Sequence, residues 1–300
     1  MTLEQLRVFV AVADRQHITR AAKALNLTQS AVSNAVTSLE ARHGVTLFDR
    51  VGRNIVLNQA GEAFLVEARA VLASAAAAES ALDDLGALAR GRLSIHASQT
   101  IASYWLPARL ALFHRNHPGI TLDVAIGNTA LVAKAVADSA AELGLVEGEI
   151  DDPVLSRVVI GQDPLALLVG RDHAWAADPP KSVKLADTAW VLREVGSGTR
   201  STFEAVLAKG GLSVADLDVA MTLPGNEAVR GAVEANAGAT VMSRIAAAPS
   251  LAIGSLVEVP YALPVRPFHL LRHKQRYRSR AAEAFLALAL GPGQDLAAAN

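Results

Sequence analysis

The chain has 300 residues, 51% of them hydrophobic, a formal net charge of −1 and no cysteine. That length supports about two or three domains with proper cores, and the missing thiols exclude disulfides, cysteine metal sites, thiol nucleophiles and thiol redox sensing. The chain opens as an amphipathic helix containing Glu4 and Arg7 rather than as a signal peptide, and its alanine-rich segments are too often interrupted by charge to span a membrane, so a cytoplasmic protein with no membrane partner is expected.

Taken in chain order, Thr19 to Glu40 predicts two short helices joined at Asn26-Leu27, with Thr19 and Thr28 as their N-caps. At helical spacing Ala31, Val32, Ala35, Val36 and Leu39 share one arc of the second helix, and Gln29, Ser30, Ser33, Asn34 and Thr37 share the other. One arc can pack while the other faces base edges in a major groove, so Thr28, Gln29, Ser30, Ser33 and Asn34 are candidate contacts to double-stranded DNA. A helical hairpin with a merely wet face is the alternative. The next segment weakens that alternative: Val45 to Phe48 and Ile55 to Leu57 flank Asp49 to Asn54 as a small β-wing, with Arg50 and Arg53 suited to phosphate or minor-groove contact. Up to Asn58, seven Lys and Arg residues outnumber four Asp and Glu, a modestly basic head on a near-neutral body.

From Gln59 to about Ala89 an unbroken helix is predicted, with Phe64, Ala68, Val71, Ala75, Ala78, Leu82 and Leu85 recurring in steps of four and three. That seam suits a homodimer; a surface helix packed on its own body is the alternative. Gly86 and Arg90-Gly91 mark its exit.

Thereafter strands and helices alternate in α/β order. Strands are expected at Leu93 to Ala97, Thr121 to Ile126, Glu142 to Val146, Val158 to Ile160, Leu165 to Val169, Trp190 to Arg193, Val219 to Leu223, Thr240 to Met242, Leu256 to Val259 and Phe268 to Arg272. Helices are expected at Pro107 to Asn116, Leu131 to Ala137, Thr199 to Lys209, Glu227 to Asn236 and Arg280 to Leu290, with a frayed tail from Gly291 to Asn300. Ligands of open α/β sheets gather where strands end and helices begin. Four such turns are polar: Ser98-Gln99-Thr100, Gly127-Asn128-Thr129, the run from Arg193 to Arg200, and Gly225-Asn226-Glu227. In the third, Gly196 and Gly198 allow close backbone approach, Ser197 and Thr199 add hydroxyls, and Arg193 or Arg200 can neutralise an anion. The turn fits neither a Walker motif nor a dinucleotide fingerprint, and no cofactor is expected.

The opening LEQLRVFVAVAD, the AAKALNLTQSAVS core, SLEARHGVTLFDR and the Arg53 to Gly61 segment resemble a LysR-type transcriptional regulator, and the features downstream extend the resemblance over nearly the whole chain. Asn58 departs from the usual threonine, with little expected effect because asparagine also caps helices. The resemblance implies a winged helix-turn-helix over 1–58, a dimerising linker over 59–90 and a bilobed, periplasmic-binding-protein-like effector domain over 91–300. It splits that domain into a discontinuous lobe of about 92–161 plus 267–290 and a second of about 162–266, and implies a homodimer or homotetramer with RNA polymerase as a further candidate partner. Arg193 to Arg200 also resembles the branch regulating sulfur assimilation and carbon fixation, which implies a small anionic effector: a sulfur oxyanion first, a phosphorylated or carboxylate metabolite second. Ser98, Gln99, Thr100, Asn128, Thr129, Glu147, Arg193, Ser197, Gly198, Thr199 and Asn226 are its candidate contacts. Glu147 would repel an anion unless protonated or paired, with Arg193 as the candidate partner.

An enzyme is the main rival. His17, His43, His96, His114, His117, His173, His269 and His273 are available as bases and Ser98 or Ser197 as nucleophiles, but they form no catalytic or metal-binding motif, and neither is expected. A transport solute-binding protein would suit the lobes but not the DNA-reading head.

Overall fold

The computed structural model describes residues 1–51, 54–85, 91–148, 150–180 and 183–290. The chain divides into two compact units.

In the first, helix α1 (Leu3–Arg15) is fixed by a capping box: the Gln5 amide donates to Thr2 Oγ1 at 3.1 Å, and the Thr2 amide donates to Gln5 Oε1 at 3.0 Å. Left-handed Gln16 and Asn26 end α1 and α2 (Ile18–Leu25). The cap of α2 falls on His17 rather than on Thr19, which lies inside the helix and donates its hydroxyl to Gln29 Oε1 at 3.2 Å. Helix α3 (Gln29–His43) starts as expected, with the Ala31 amide donating to Thr28 Oγ1 at 3.2 Å. Its packed arc is narrower than the spacing predicts: Val32, Val36 and Leu39 are buried and Ala35 half-buried, while Ala31, in the capped first turn, is exposed. Phe9 anchors this core, its ring 5.4 Å from Phe48 and 4.9 Å from Phe64.

The wing pairs β1 (Phe48–Val51) antiparallel to β2 (Asn54–Leu57). Of the predicted first apolar run only Phe48 joins the strand. Leu47 is instead held in the core, its amide donating to Glu40 Oε1 at 2.7 Å and its carbonyl accepting from Asn58, so pairing begins one residue later. Asn58 does cap α4 (Gln59–Leu85), accepting the Gly61 amide at 2.9 Å. The first turns of α4 are spent on the head: Ala68 is buried there, with Phe64, Leu65 and Leu72 packed alongside. Of the predicted seam, Val71, Ala78 and Leu82 are exposed and Ala75 is half-buried. Arg53, Gly86 to Arg90 and the tail from Gly291 lie outside the described residues.

The second unit starts with β3 (Gly91–Ser98), a π-helical turn over Ile101–Trp105, α5 (Leu106–Asn116), β4 (Ile120–Gly127), α6 (Thr129–Ala137) and β5 (Leu143–Glu147). After β6 (Leu155–Gly170) come the short α7 (Ala174–Ala177), β7 (Ala189–Arg193), α8 (Gly198–Lys209), β8 (Asp218–Leu223), α9 (Asn226–Glu234), β9 (Thr240–Ser243), α10 (Arg244–Ala252) and β10 (Leu256–Val259). Strand β11 (Val265–His273) and α11 (Arg280–Leu290) close the described chain. The order β4-β3-β5-β11-β6 forms one sheet, with β3 parallel to its neighbours and β11 antiparallel to its own. Beyond Pro164, β6 leaves β11 and pairs with β9 and β10, while β7 pairs parallel to β8 and meets Ala239, just before β9, through Trp190.

Two lobes result. Leu93, Ile95, Phe113 and Leu145 pack under one sheet, Trp190, Phe203, Leu167 and Val241 under the other. The returning segment completes the first lobe: β11 pairs with β5, and Phe285 of α11 sits 5.5 Å from the Phe113 ring. Val158 to Ile160 and Leu165 to Val169 are not two strands but parts of the 16-residue β6, which serves both lobes.

Candidate functional site

On the first unit, Thr28, Gln29, Ser30 and Asn34 are exposed at the start of α3, Ser33 is half-buried, and Arg50 is exposed on β1 opposite Ile55. Three of these side chains are already oriented: Thr28 Oγ1 lies 3.1 Å from Ser30 Oγ, and Gln29 is tethered by Thr19. Asn34 stands on the side of α3 opposite Val32, Val36 and Leu39 and Ser33 borders that buried arc, while Gln29 is exposed in the first turn.

On the second unit the four polar turns converge where the lobes meet. The closest approach is α8 against β5: a Cβ on Gly198 would stand 2.1 Å from the Glu147 carbonyl oxygen and 2.7 Å from Thr129 Oγ1, so only glycine fits. Thr129 donates to that same carbonyl at 3.0 Å. On one flank the Ala130 amide donates to Gly196 O at 3.1 Å, and Asn128 Nδ2 donates to Val195 O at 3.4 Å. On the other the Asn226 amide donates to Gln99 Oε1 at 2.9 Å, Asn226 Nδ2 donates to Thr100 Oγ1 at 3.1 Å, and Arg193 donates to Asn226 Oδ1 at 2.7 Å. Ser98, Thr100, Thr129, Glu147, Arg193, Ser197, Thr199 and Asn226 are all at most 5% exposed. Among these, the hydroxyls of Ser197 and Thr199 have no partner. Buried polar atoms are nearly always hydrogen-bonded, which sets apart these two orphan hydroxyls flanking Gly198 at the start of a 12-residue helix.

The charges are arranged differently from the expected pairing of Glu147 with Arg193. Arg193 forks onto its neighbour Glu194 at 2.8 and 2.9 Å. Burial works against the Glu194 carboxylate, but the Arg193 hydrogen bonds and charge, with help from Asn128, hold it below the ordinary carboxylate range. Glu147 instead accepts from the Ser98 hydroxyl and lies 3.8 Å from Arg266, which forks onto Asp163 at 2.8 and 2.6 Å. The reason is topological: Arg266 and Asp163 are cross-strand partners on β11 and β6, beside β5, whereas Arg193 is held by its own lobe. Arg200 is likewise engaged, by Glu204 at 2.8 Å and the Arg193 carbonyl at 3.1 Å. Burial pushes Asp163 up, against the pull of Arg266 and Ser243.

Arg266, Asp163 and Tyr104 were not singled out by the sequence, and Glu227 only as part of the polar turn Gly225-Asn226-Glu227. Tyr104, in the π-helical turn, donates to Glu227 Oε1 across the lobes at 2.8 Å, and burial together with that carboxylate pushes its phenol up to about 12. A π-turn following a polar strand end is a recurrent mark of functional sites, but nothing in IASYW announces one. Among the described residues no group of His, Asp and Glu could hold a metal, and no helix is long and apolar enough to cross a membrane. Burial lowers the pKa of His96, His173 and His273.

Residues 3–62 match the family described as bacterial regulatory helix-turn-helix proteins of the lysR family, and residues 86–291 match the LysR substrate binding domain. The chain is 34% identical over 288 residues to YeiE of Escherichia coli K12, an uncharacterized HTH-type transcriptional regulator, covering 95% of this chain and 96% of that one. It is 30% identical over 293 residues to a probable RuBisCO transcriptional regulator of Thalassiosira pseudonana, covering 95% of each chain. Among solved structures, the regulatory domain of CcmR from Synechocystis PCC6803 in complex with 2-PG superposes with a TM-score of 0.62 at 21% identity, covering 69% of this chain and 99% of that one.

Proposed function

The chain belongs to the LysR family of DNA-binding transcriptional regulators with an effector-binding domain, which are not enzymes; from that premise we propose that its effector is a small oxyanion held between the two lobes of the second unit. The observation that carries the proposal is the pair of buried, unpartnered hydroxyls of Ser197 and Thr199 at the start of α8, either side of the glycine that meets Glu147 and Thr129 of the other lobe. Hydroxyls, helix-terminal amides and a glycine that lets backbones touch are the parts of an anion cradle. The tight approach of Gly198 to Glu147 favours a compact ligand, a sulfur oxyanion, over a phosphorylated or carboxylate metabolite. The second class stays in view because CcmR is in complex with 2-PG.

In this reading the contacts are Ser98, Gln99, Thr100, Asn128, Thr129, Ser197, Gly198, Thr199 and Asn226, with Arg193 acting through Asn226. Thr28, Gln29, Ser30, Ser33 and Asn34 read base edges, and Arg50 and Arg53 hold phosphate. Residues 1–58 form the reading head, 59–90 the linker and 91–300 the effector domain. The exposed stretch of α4 around Val71, Ala78 and Leu82 is the surface through which a second copy pairs, giving two heads for two half-sites. Effector binding that differs between lobe arrangements then shifts promoter binding by that difference in affinity.

Thermal unfolding against sulfite, sulfate, thiosulfate, phosphate, phosphorylated sugars and small carboxylates tests the cleft. One anion raises the midpoint of the wild type with concentration, and Thr199→Ala and Thr100→Ala abolish the shift. An anion that stabilises the variants as well as the wild type refutes the assignment.

A further inference from the structure

The charge balance around the cleft restricts which oxyanion it can take. Two guanidinium groups serve three carboxylates: Arg193 forks onto Glu194, Arg266 forks onto Asp163, and Glu147 is left with the 3.8 Å approach of an Arg266 that is already neutralised. Glu147 is 2% exposed, and Arg266 and Asp163 are 3% and 1% exposed, so solvent does little to screen this surplus negative charge. One oxygen of Glu147 accepts from Ser98, which leaves further acceptor capacity on an acceptor-only group. The unpartnered buried donors are the Ser197 and Thr199 hydroxyls, on the residues either side of Gly198, whose backbone touches the Glu147 carbonyl, and Nη1 of Arg266 on the other lobe. The two lobes therefore differ in what they offer: hydroxyl donors without acceptors on α8, and a carboxyl group with spare acceptor capacity on β5.

Resting on the anion reading above, we propose that the cleft is selective for an oxyanion that carries a proton, with unprotonated oxygens accepting from Ser197 and Thr199 and the ligand's own hydroxyl donating to Glu147. A fully deprotonated oxyanion has no donor for Glu147 and meets it charge against charge in a site shielded from water. The charged groups that face Glu147 are Arg266 on β11 and Asp163 on β6, which pair with one another. The site thus behaves as a filter on protonation state as well as on size: sites built to hydrogen-bond a ligand hydroxyl reject analogues lacking it by large factors, because their buried acceptor is left unpaired.

Phosphate and sulfate are near-isosteric tetrahedral probes that separate the two properties, because phosphate keeps a proton at neutral pH and sulfate does not. Sulfite, which takes up a proton near neutrality, is a third. Calorimetric titration of the full-length protein with each, at about pH 6 and about pH 8, reads the filter directly. The expected result is that phosphate or sulfite binds the wild type at least about tenfold more tightly than sulfate. Sulfite affinity is expected to rise on acidification by up to about tenfold per pH unit, the slope of one linked proton. Glu147→Gln, which can donate as well as accept, should narrow or reverse the preference toward sulfate. Sulfate binding the wild type as tightly as the protonated probes, with no pH dependence, overturns the proposal and leaves the anion cleft standing. Binding of none of the three overturns both. The comparison within the wild type needs no variant, so a Glu147→Gln protein that fails to fold does not remove the test.

Discussion

Replacing Gly198 by alanine is the most direct perturbation of the contact between the lobes. The added methyl would stand 2.1 Å from the Glu147 carbonyl oxygen, 2.9 Å from its carbonyl carbon and 2.7 Å from Thr129 Oγ1. Two of these neighbours are backbone, so relief requires α8 to move away from β5. Overpacking of this kind costs about 1–3 kcal/mol. The movement also strains the 3.0 Å bond from Thr129 to Glu147 O, worth about 1 kcal/mol net. The sum is about 2–4 kcal/mol, or about one and a half to three powers of ten in the unfolding equilibrium at about 1.4 kcal/mol per decade. All three tryptophans, Trp105, Trp175 and Trp190, lie in the second unit, so urea denaturation followed by tryptophan fluorescence reports on that unit and not on the reading head. Gly231→Ala is the matched control: it is exposed on α9, nothing lies within 4 Å of its added methyl, and it should stabilise by up to about 1 kcal/mol. A Gly198→Ala protein within about 0.5 kcal/mol of the wild type would refute the reasoning, because the lobes would then have room that the contact denies.

Phe9→Ala removes a fully buried ring between Phe48 and Phe64 and should cost the head about 3–5 kcal/mol, abolishing operator binding while leaving the tryptophan-monitored transition in place. Arg266→Met leaves Asp163 and Glu147 buried without their cation and should destabilise the second unit by about 3–5 kcal/mol in the same denaturation assay. Thr28→Ala loses the cap on α3 and should cost the head about 1 kcal/mol, read by circular dichroism during thermal unfolding. Glu194 is held below its ordinary value of 4.5, so its contribution is full above that value and is lost as pH falls through its lower folded value. The stability advantage of wild type over Glu194→Gln should therefore be larger at about pH 6 than at about pH 3.5, and an advantage that grows on acidification would contradict the pairing with Arg193.

What the sequence made legible follows the range of the interactions. The helix-turn-helix could be read because its signals are local: Thr28 three residues before the amide it caps, Val32, Val36 and Leu39 at helical spacing, Asn58 before α4. Local reasoning also misled, since Thr19 is as good a cap by type as Thr28, yet the cap of α2 falls two residues earlier, on His17. Gly161 and Pro164 look like breaks and hid the continuity of β6, because a proline without an amide donor is tolerated where a strand exchanges one sheet for another. Pro249 similarly disguised α10. The polar turns of the cleft were recognisable by composition, but the partners that decide its charge were not. Arg266 and Asp163 are 103 residues apart, and only the return of β11 beside β6 brings them under Glu147.

A crystal structure of the full-length protein grown with sulfite tests the central claim most directly. The account predicts a bound oxyanion between the lobes, with its oxygens about 3 Å from both the Ser197 and Thr199 hydroxyls and within reach of Ser98 or Thr100. Sulfite bound elsewhere, or a cleft in which those two hydroxyls turn to partners within the protein, would contradict it.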